Sequence, residues 1–185
     1  MKALRAALLF VSLLFIGALL MTTPAAAQQT FKPGDNLTID PAITYGKFDN
    51  GLTYYIKVNK KPEKRAELRL AVRTGSVMED DDQLGLAHFC EHMAFNGTKS
   101  FPKNEIINLL EKEGIRLGPD VNAGTSFDQT VYMLQIPTDS AQLVEKALKI
   151  LEEWASAVSY DGKEIDKERG VIVEEWRLGR RAGAR

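Results

Sequence analysis

Cysteine and histidine are scarce in this chain: its 185 residues hold one cysteine, Cys90, and two histidines, His88 and His92. A single cysteine excludes an intramolecular disulfide framework. A surplus of either charge is missing as well. Lys and Arg number 24 against 25 Asp and Glu, a formal net charge of −1, so no broad basic surface points to nucleic acid. Internal repeats and low-complexity tracts are absent. What remains is the composition of a globular protein with enough residues for one sizeable core.

The N-terminus departs from that composition. Lys2 and Arg5 precede a mostly apolar run from Ala6 to Met21, and a turn-prone stretch then ends in Ala25-Ala26-Ala27 before Gln28. A positive start, an apolar middle and a small-residue site form the pattern of a secretory signal peptide. The expectation is that residues 1–27 are removed and that the mature chain is exported, periplasmic or secreted, with no stable membrane anchor. An uncleaved anchor is the alternative, since the run is nearly long enough to span a bilayer. A lipoprotein anchor lacks the cysteine it needs. Cleavage removes two basic residues and no acid, taking the net charge from −1 to −3.

Residues 28–42 are polar and read as an irregular lead-in, and residues 43–185 as one domain. Leu52 to Val58 follows the Asn50-Gly51 turn signal and is rich in Tyr and β-branched residues, a strand pattern. Ala66 to Val72 puts Ala66, Leu68, Leu70 and Val72 on one side and Glu67, Arg69 and Ala71 on the other, the mark of a half-buried strand. The polar run Asn59 to Lys64 predicts that these two strands form a hairpin. Helices are expected over about Gln83–Phe95 and from Pro102 to Gly114, the second with Ser100 nearby as cap. Strands near Asp120–Ser126 and Thr130–Ile136 come next. Asp139 or Ser140 caps a long amphipathic helix through Leu143, Ala147, Leu148, Leu151 and Trp154. A last helix runs from about Lys163 to Arg180. This order predicts an α+β domain: a mixed, largely antiparallel sheet with helices packed on one face.

Chemistry concentrates in His88-Phe89-Cys90-Glu91-His92. At 100° per residue, His92 lies +40° and Glu91 −60° from His88, so all three side chains leave one side of the helix. The rest of the ring is apolar, which marks a buried helix. Buried polar groups need partners, because an unpaired one costs about 2–7 kcal/mol. A divalent metal satisfies two imidazoles at once; two core histidines held by hydrogen bonds are the alternative. Cys90 falls on the opposite side and reads as a small hydrophobe.

A catalytic zinc takes three protein ligands and keeps an open position. In the last helix Glu168 and Glu175 stand two turns apart, on the same face as Val171 and Ile172, while Lys167, Arg169, Glu174 and Arg177 lie on the solvated side. Acids on an apolar face need a cation or a proton donor. Either a metal or an ion pair, for instance to Arg69 or Arg73, meets that need.

Three segments, GLAHFCEHMAFNGT at 85–98, DVNAGTSFDQTVY at 120–132 and DKERGVIVEEW at 166–176, resemble the pitrilysin family, which includes insulin-degrading enzyme and the mitochondrial processing peptidases. The resemblance runs from about Tyr45 to Arg180. The order H-x-x-E-H is the inverted zinc-peptidase signature. It implies a zinc endopeptidase acting on peptides or unfolded polypeptides, with one Zn2+ per chain. By that resemblance His88, His92 and Glu175 are the ligands, Glu91 the general base, and Glu168 a further acid supporting the site. Asn122, Ala123, Gly124 and Thr125 resemble the strand whose edge binds substrate; an ordinary strand with a bulge at Gly124 is the alternative. Working family members close two or four homologous domains around the peptide, so this chain is expected to be a C-terminally truncated half that needs a further half or partner subunit. A non-catalytic peptide-binding or assembly subunit is the competing function.

Overall fold

The computed structural model describes Lys32, Gly34 and residues 38–179. The expected signal peptide and the end of the last helix beyond Gly179 lie outside the described residues. Two units are distinguished by their internal contacts, one up to Val58 and one from Asn59 onward.

The first unit holds a hairpin of β1 (Ile43–Lys47) and β2 (Thr53–Lys57), antiparallel in the register Ile43↔Lys57 to Lys47↔Thr53. Its connection is closed by the Phe48 N–H to the Leu52 carbonyl at 2.8 Å and by the Leu52 N–H to Asn50 Oδ1 at 3.1 Å. Gly51 takes φ +91°, a conformation that costs glycine little. The Asn50-Gly51 turn therefore joins β2 to a strand before it. The expected hairpin between Leu52–Val58 and Ala66–Val72 does not form, because β2 pairs with β1. Strand β1 escapes pattern reading: five residues, one of them Gly46, with no buried side chain carry no alternation to read.

In the second unit β3 (Arg65–Val72), β4 (Val121–Thr125) and β5 (Thr130–Pro137) form an antiparallel sheet in the order β3-β5-β4. The alternation of β3 is realised in its pairing with β5, from Arg65↔Pro137 to Val72↔Thr130. Register in β4 runs unbroken through Gly124↔Val131, so no bulge sits there. Tyr132, Leu134 and Ile136 of β5 point into the core, with Ala66, Leu68, Leu70 and Val72 of β3 packed around them.

The described residues of this unit also form four α-helices, α1 (Leu86–Phe95), α2 (Glu105–Lys112), α3 (Ala141–Ser156) and α4 (Gly162–Gly179), and a short 3-10 turn at Ser76–Met78. Helix α1 starts at Leu86 rather than Gln83. The Glu79 carboxylate accepts the Gly85 N–H at 2.7 Å and the Ala87 N–H at 2.8 Å, meeting part of the unpaired first turn. Helix α2 starts at Glu105 rather than Pro102, and Ser100 does not cap it. The Ser100 hydroxyl and N–H both go instead to Glu153. Ser140 caps α3 as expected, accepting the Leu143 N–H at 3.3 Å. The buried stripe of α3 is Leu143, Ala147, Ile150 and Trp154, spaced i, i+4, i+7, i+11; Leu148, a residue away from Ala147, turns out to solvent. Asp161 opens α4 by accepting the Lys163 and Glu164 N–H groups. The apolar face expected of α4 is not buried: it has no fully buried residue, and Val171 is 46% exposed. No described helix is long and apolar enough to cross a membrane.

Candidate metal centre

Helix α1 carries the two histidines and Glu91, and α4 and β4 bring the remaining groups to it. All of them line one cleft of about 1050 Å³. His88 Nε2 and His92 Nε2 lie 3.1 Å apart. Glu175 Oε2 lies 3.4 Å from each of them. Three donor atoms thus mark a triangle with edges of 3.1, 3.4 and 3.4 Å. Bond lengths of about 2.0–2.1 Å to a tetrahedral zinc imply donor-to-donor edges of roughly 3.3–3.4 Å. The residues present therefore fit a zinc ion. Among the described residues the cluster holds these three donors, whereas a structural zinc site is closed by four.

The hydrogen bonds around the triangle set which atoms face it. Glu168 Oε1 lies 2.7 Å from His92 Nδ1. A carboxylate only accepts, so Nδ1 is the donor to Glu168 and Nε2 is the nitrogen that faces the triangle. Glu168 is 13% exposed by side chain and Glu175 47%, so the first lies behind the histidine and the second on the open cleft wall. The ion pair to Arg69 weighed for Glu168 does not form; Arg69 pairs with Glu67 on its own strand.

Glu91, 7% exposed, is the buried acid of the site. Its Oε2 accepts the Thr125 hydroxyl at 2.6 Å. Thr125 in turn lies 3.2 Å from Thr130 Oγ1, and Thr130 donates to the Thr74 carbonyl at 2.9 Å. Each hydroxyl has one proton: Thr125 gives its own to Oε2 of Glu91 and Thr130 gives its own to the Thr74 carbonyl, so Thr125 is what holds that carboxylate oxygen, and Glu91 lines the cleft.

Of the predicted substrate strand, Asn122, Ala123, Gly124 and Thr125 all line the cleft, and β4 is an edge of the sheet. The four do not share one environment. Ala123 and Thr125 are half-buried toward α1, while Asn122 and Gly124 are exposed. The Ala123 N–H is held by the Asn122 side-chain oxygen at 2.9 Å. Cys90 is half-buried and takes no place in the donor cluster.

Sequence reasoning missed Asn96 and Glu153. Asn96 follows the last turn of α1 and donates from Nδ2 to Glu168 Oε2 at 2.7 Å. Glu153, 2% exposed, ties the segment after α1 to α3. It accepts from Thr98 Oγ1 at 2.6 Å, from the Ser100 N–H at 2.9 Å and from Ser100 Oγ. Burial alone pushes the Glu153 carboxyl up, but the bonds from Ser100, Thr98 and Lys149 together outweigh it and hold it at about 2. A glutamate in the last turn of an amphipathic helix gives no sequence signal beyond its place on the buried stripe.

Comparison with known proteins follows the same lines. Residues 54–178 match the family described as insulinase, peptidase family M16. The "Probable zinc protease PqqL" of Haemophilus influenzae is 44% identical over 159 residues, covering 86% of this chain and 17% of that protein. Its Escherichia coli namesake is 46% identical over 138 residues, covering 75% of this chain and 15% of that protein. The crystal structure of the first half of the periplasmic protease PqqL from Escherichia coli superposes with a TM-score of 0.77 at 44% identity, covering 80% of this chain and 32% of that one. This chain thus spans about a sixth of the length of those two relatives. The sheet, the helix bearing His88 and His92, and the match over residues 54–178 lead to one conclusion: the chain belongs to the insulinase family, peptidase family M16.

Proposed function

We propose that this chain is the zinc-bearing part of an exported metalloendopeptidase that hydrolyses peptides or unfolded polypeptides. The observation that carries the reading is the triangle of His88, His92 and Glu175 donors, whose edges suit a tetrahedral ion with one open position. Zinc held there supplies Lewis acidity toward a water and a scissile carbonyl. Glu91 is the general base: its free carboxylate oxygen takes the proton of the attacking water and later passes it to the leaving amine. Thr125 holds the other oxygen still. Glu168 orients His92 by accepting the hydrogen bond of its Nδ1–H, as carboxylates behind metal-bound histidines commonly do.

Strand β4 offers its free edge to an extended peptide, with Asn122 to Thr125 along it. Asn122 covers the Ala123 N–H, so an incoming backbone carbonyl replaces an amide oxygen rather than finding a bare donor. The likeness to far longer proteases supports a further homologous half that closes over this cleft. Export rests on the N-terminal pattern of residues 1–27 and on the periplasmic place of the Escherichia coli relative.

The deciding experiment is metal analysis of the chain beside Glu91→Gln, with peptide hydrolysis measured in the protein that carries this domain. Zinc retained and hydrolysis lost in Glu91→Gln supports the reading; unchanged turnover removes Glu91 from it. A non-catalytic peptide-binding subunit instead predicts no hydrolysis in the unaltered protein.

A further inference from the structure

We propose that Asn96 is a positioning residue of the metal centre, holding Glu168 in place and through it the ring of His92. The inference rests on the reading that His88, His92 and Glu175 hold the metal. It begins with an asymmetry in Glu168, whose two oxygens have different partners. Oε1 accepts from the His92 Nδ1–H at 2.7 Å, and Oε2 accepts from Asn96 Nδ2 at 2.7 Å. With both oxygens bound, the carboxylate cannot rotate about its terminal bond without losing both contacts. A glutamate held only through Oε1 would keep that freedom, and the imidazole would rock with it.

Asn96 is itself held from both sides. Its backbone N–H closes the last turn of α1 on the Met93 carbonyl at 3.1 Å. Gly97 then takes φ +144°, with a path so close to Lys103 that an added Cβ would lie 2.8 Å from the Lys103 nitrogen. Beyond it Thr98 and Ser100 are bound to the buried Glu153 of α3, and the Ser159 N–H returns to the Gly97 carbonyl at 3.0 Å. The amide therefore sits at a fixed point between α1 and α3. It acts on α4, 72 residues further along the chain. Only a donor suits this position, because a carboxylate oxygen accepts.

The test is zinc affinity of the full chain, measured by competition with a chromophoric chelator, for wild type, Asn96→Leu, Glu168→Ala and the double variant. His92→Ala serves as control. Removing a partner of a metal-bound histidine costs about 10–100-fold in affinity, and Glu168→Ala is expected in that range. Asn96→Leu, one bond further out, is expected to weaken zinc about 5–10-fold by the same effect, with the metal-free thermal midpoint little changed. In the Glu168→Ala background it is expected to change affinity by less than about twofold, since the group it positions is gone. Asn96→Ala repeats the cycle if the leucine variant does not fold. Equal losses from Asn96→Leu in both backgrounds, or no loss in the wild-type background, would overturn the proposal. Failure of the metal reading looks different: His92→Ala then binds zinc as wild type does.

Discussion

The hydroxyl of Thr125 donates to Oε2 of Glu91 across 2.6 Å, from an edge strand to the buried face of α1. Alternation along β4 is the cause: with Asn122 and Gly124 turned out, Thr125 must turn in. A residue read as part of a substrate-binding strand thus has a second task, fixing the acid proposed to act as base.

Thr125→Val keeps the shape of the side chain and removes the donor. A hydrogen bond to a charged group contributes about 1.5–3 kcal/mol, so kcat for peptide hydrolysis is expected to fall about tenfold or more. KM and zinc content are expected to stay near wild type, and Thr125→Ser to recover most of the rate. A loss confined to KM would return Thr125 to substrate binding alone.

Zinc content gives a second check. The chain is expected to hold about one zinc, as a site with three protein ligands does. His92→Ala and Glu175→Ala are each expected to lose most of it at micromolar chelator. Should Glu175→Ala hold zinc as tightly as wild type, the third ligand has been misassigned.

Glu153 predicts an acid-sensitive fold. Its carboxyl is held at about 2, against an ordinary value of 4.5. A depressed acid stabilises the fold fully above its unfolded value, and that contribution drains away as pH falls through the folded one. Urea midpoints are therefore expected to drop between about pH 4.5 and pH 2 through this group. Glu153→Gln is expected to be about 1–3 kcal/mol less stable at neutral pH and to show a shallower fall across that window. Parallel pH profiles for the two proteins would count against the assignment.

The core itself is tested at Leu134, fully buried in the central strand. Leu134→Ala is expected to cost about 2–5 kcal/mol, since neighbours on β3, β4 and the helices close only partly over the cavity. Denaturant unfolding reads this directly, and a loss below about 1 kcal/mol would mean that the sheet relaxes around the gap.

The sequence by itself determined what depends on neighbours a few residues away. His88, Glu91 and His92 share a face because three- and four-residue steps along a helix always do. The alternation of Ala66 to Val72, the capping by Ser140 and the start of α4 are local in the same sense. Tertiary structure decided which face meets which. Periodicity marks an apolar side of a strand or helix but not the partner that covers it. For that reason β2 finds its partner in β1 rather than in the strand that follows it, and of the two carboxylates on the expected buried face of α4, Glu168 is enclosed while Glu175 stands on an open cleft wall. Glu168 reaches His92 across 76 residues of sequence, and Thr125 reaches Glu91 across 34. Asn96 and Glu153 went unread for the same reason: each is an ordinary polar residue until the chain folds back and sets a partner within hydrogen-bond reach, at which point burial makes that partner obligatory.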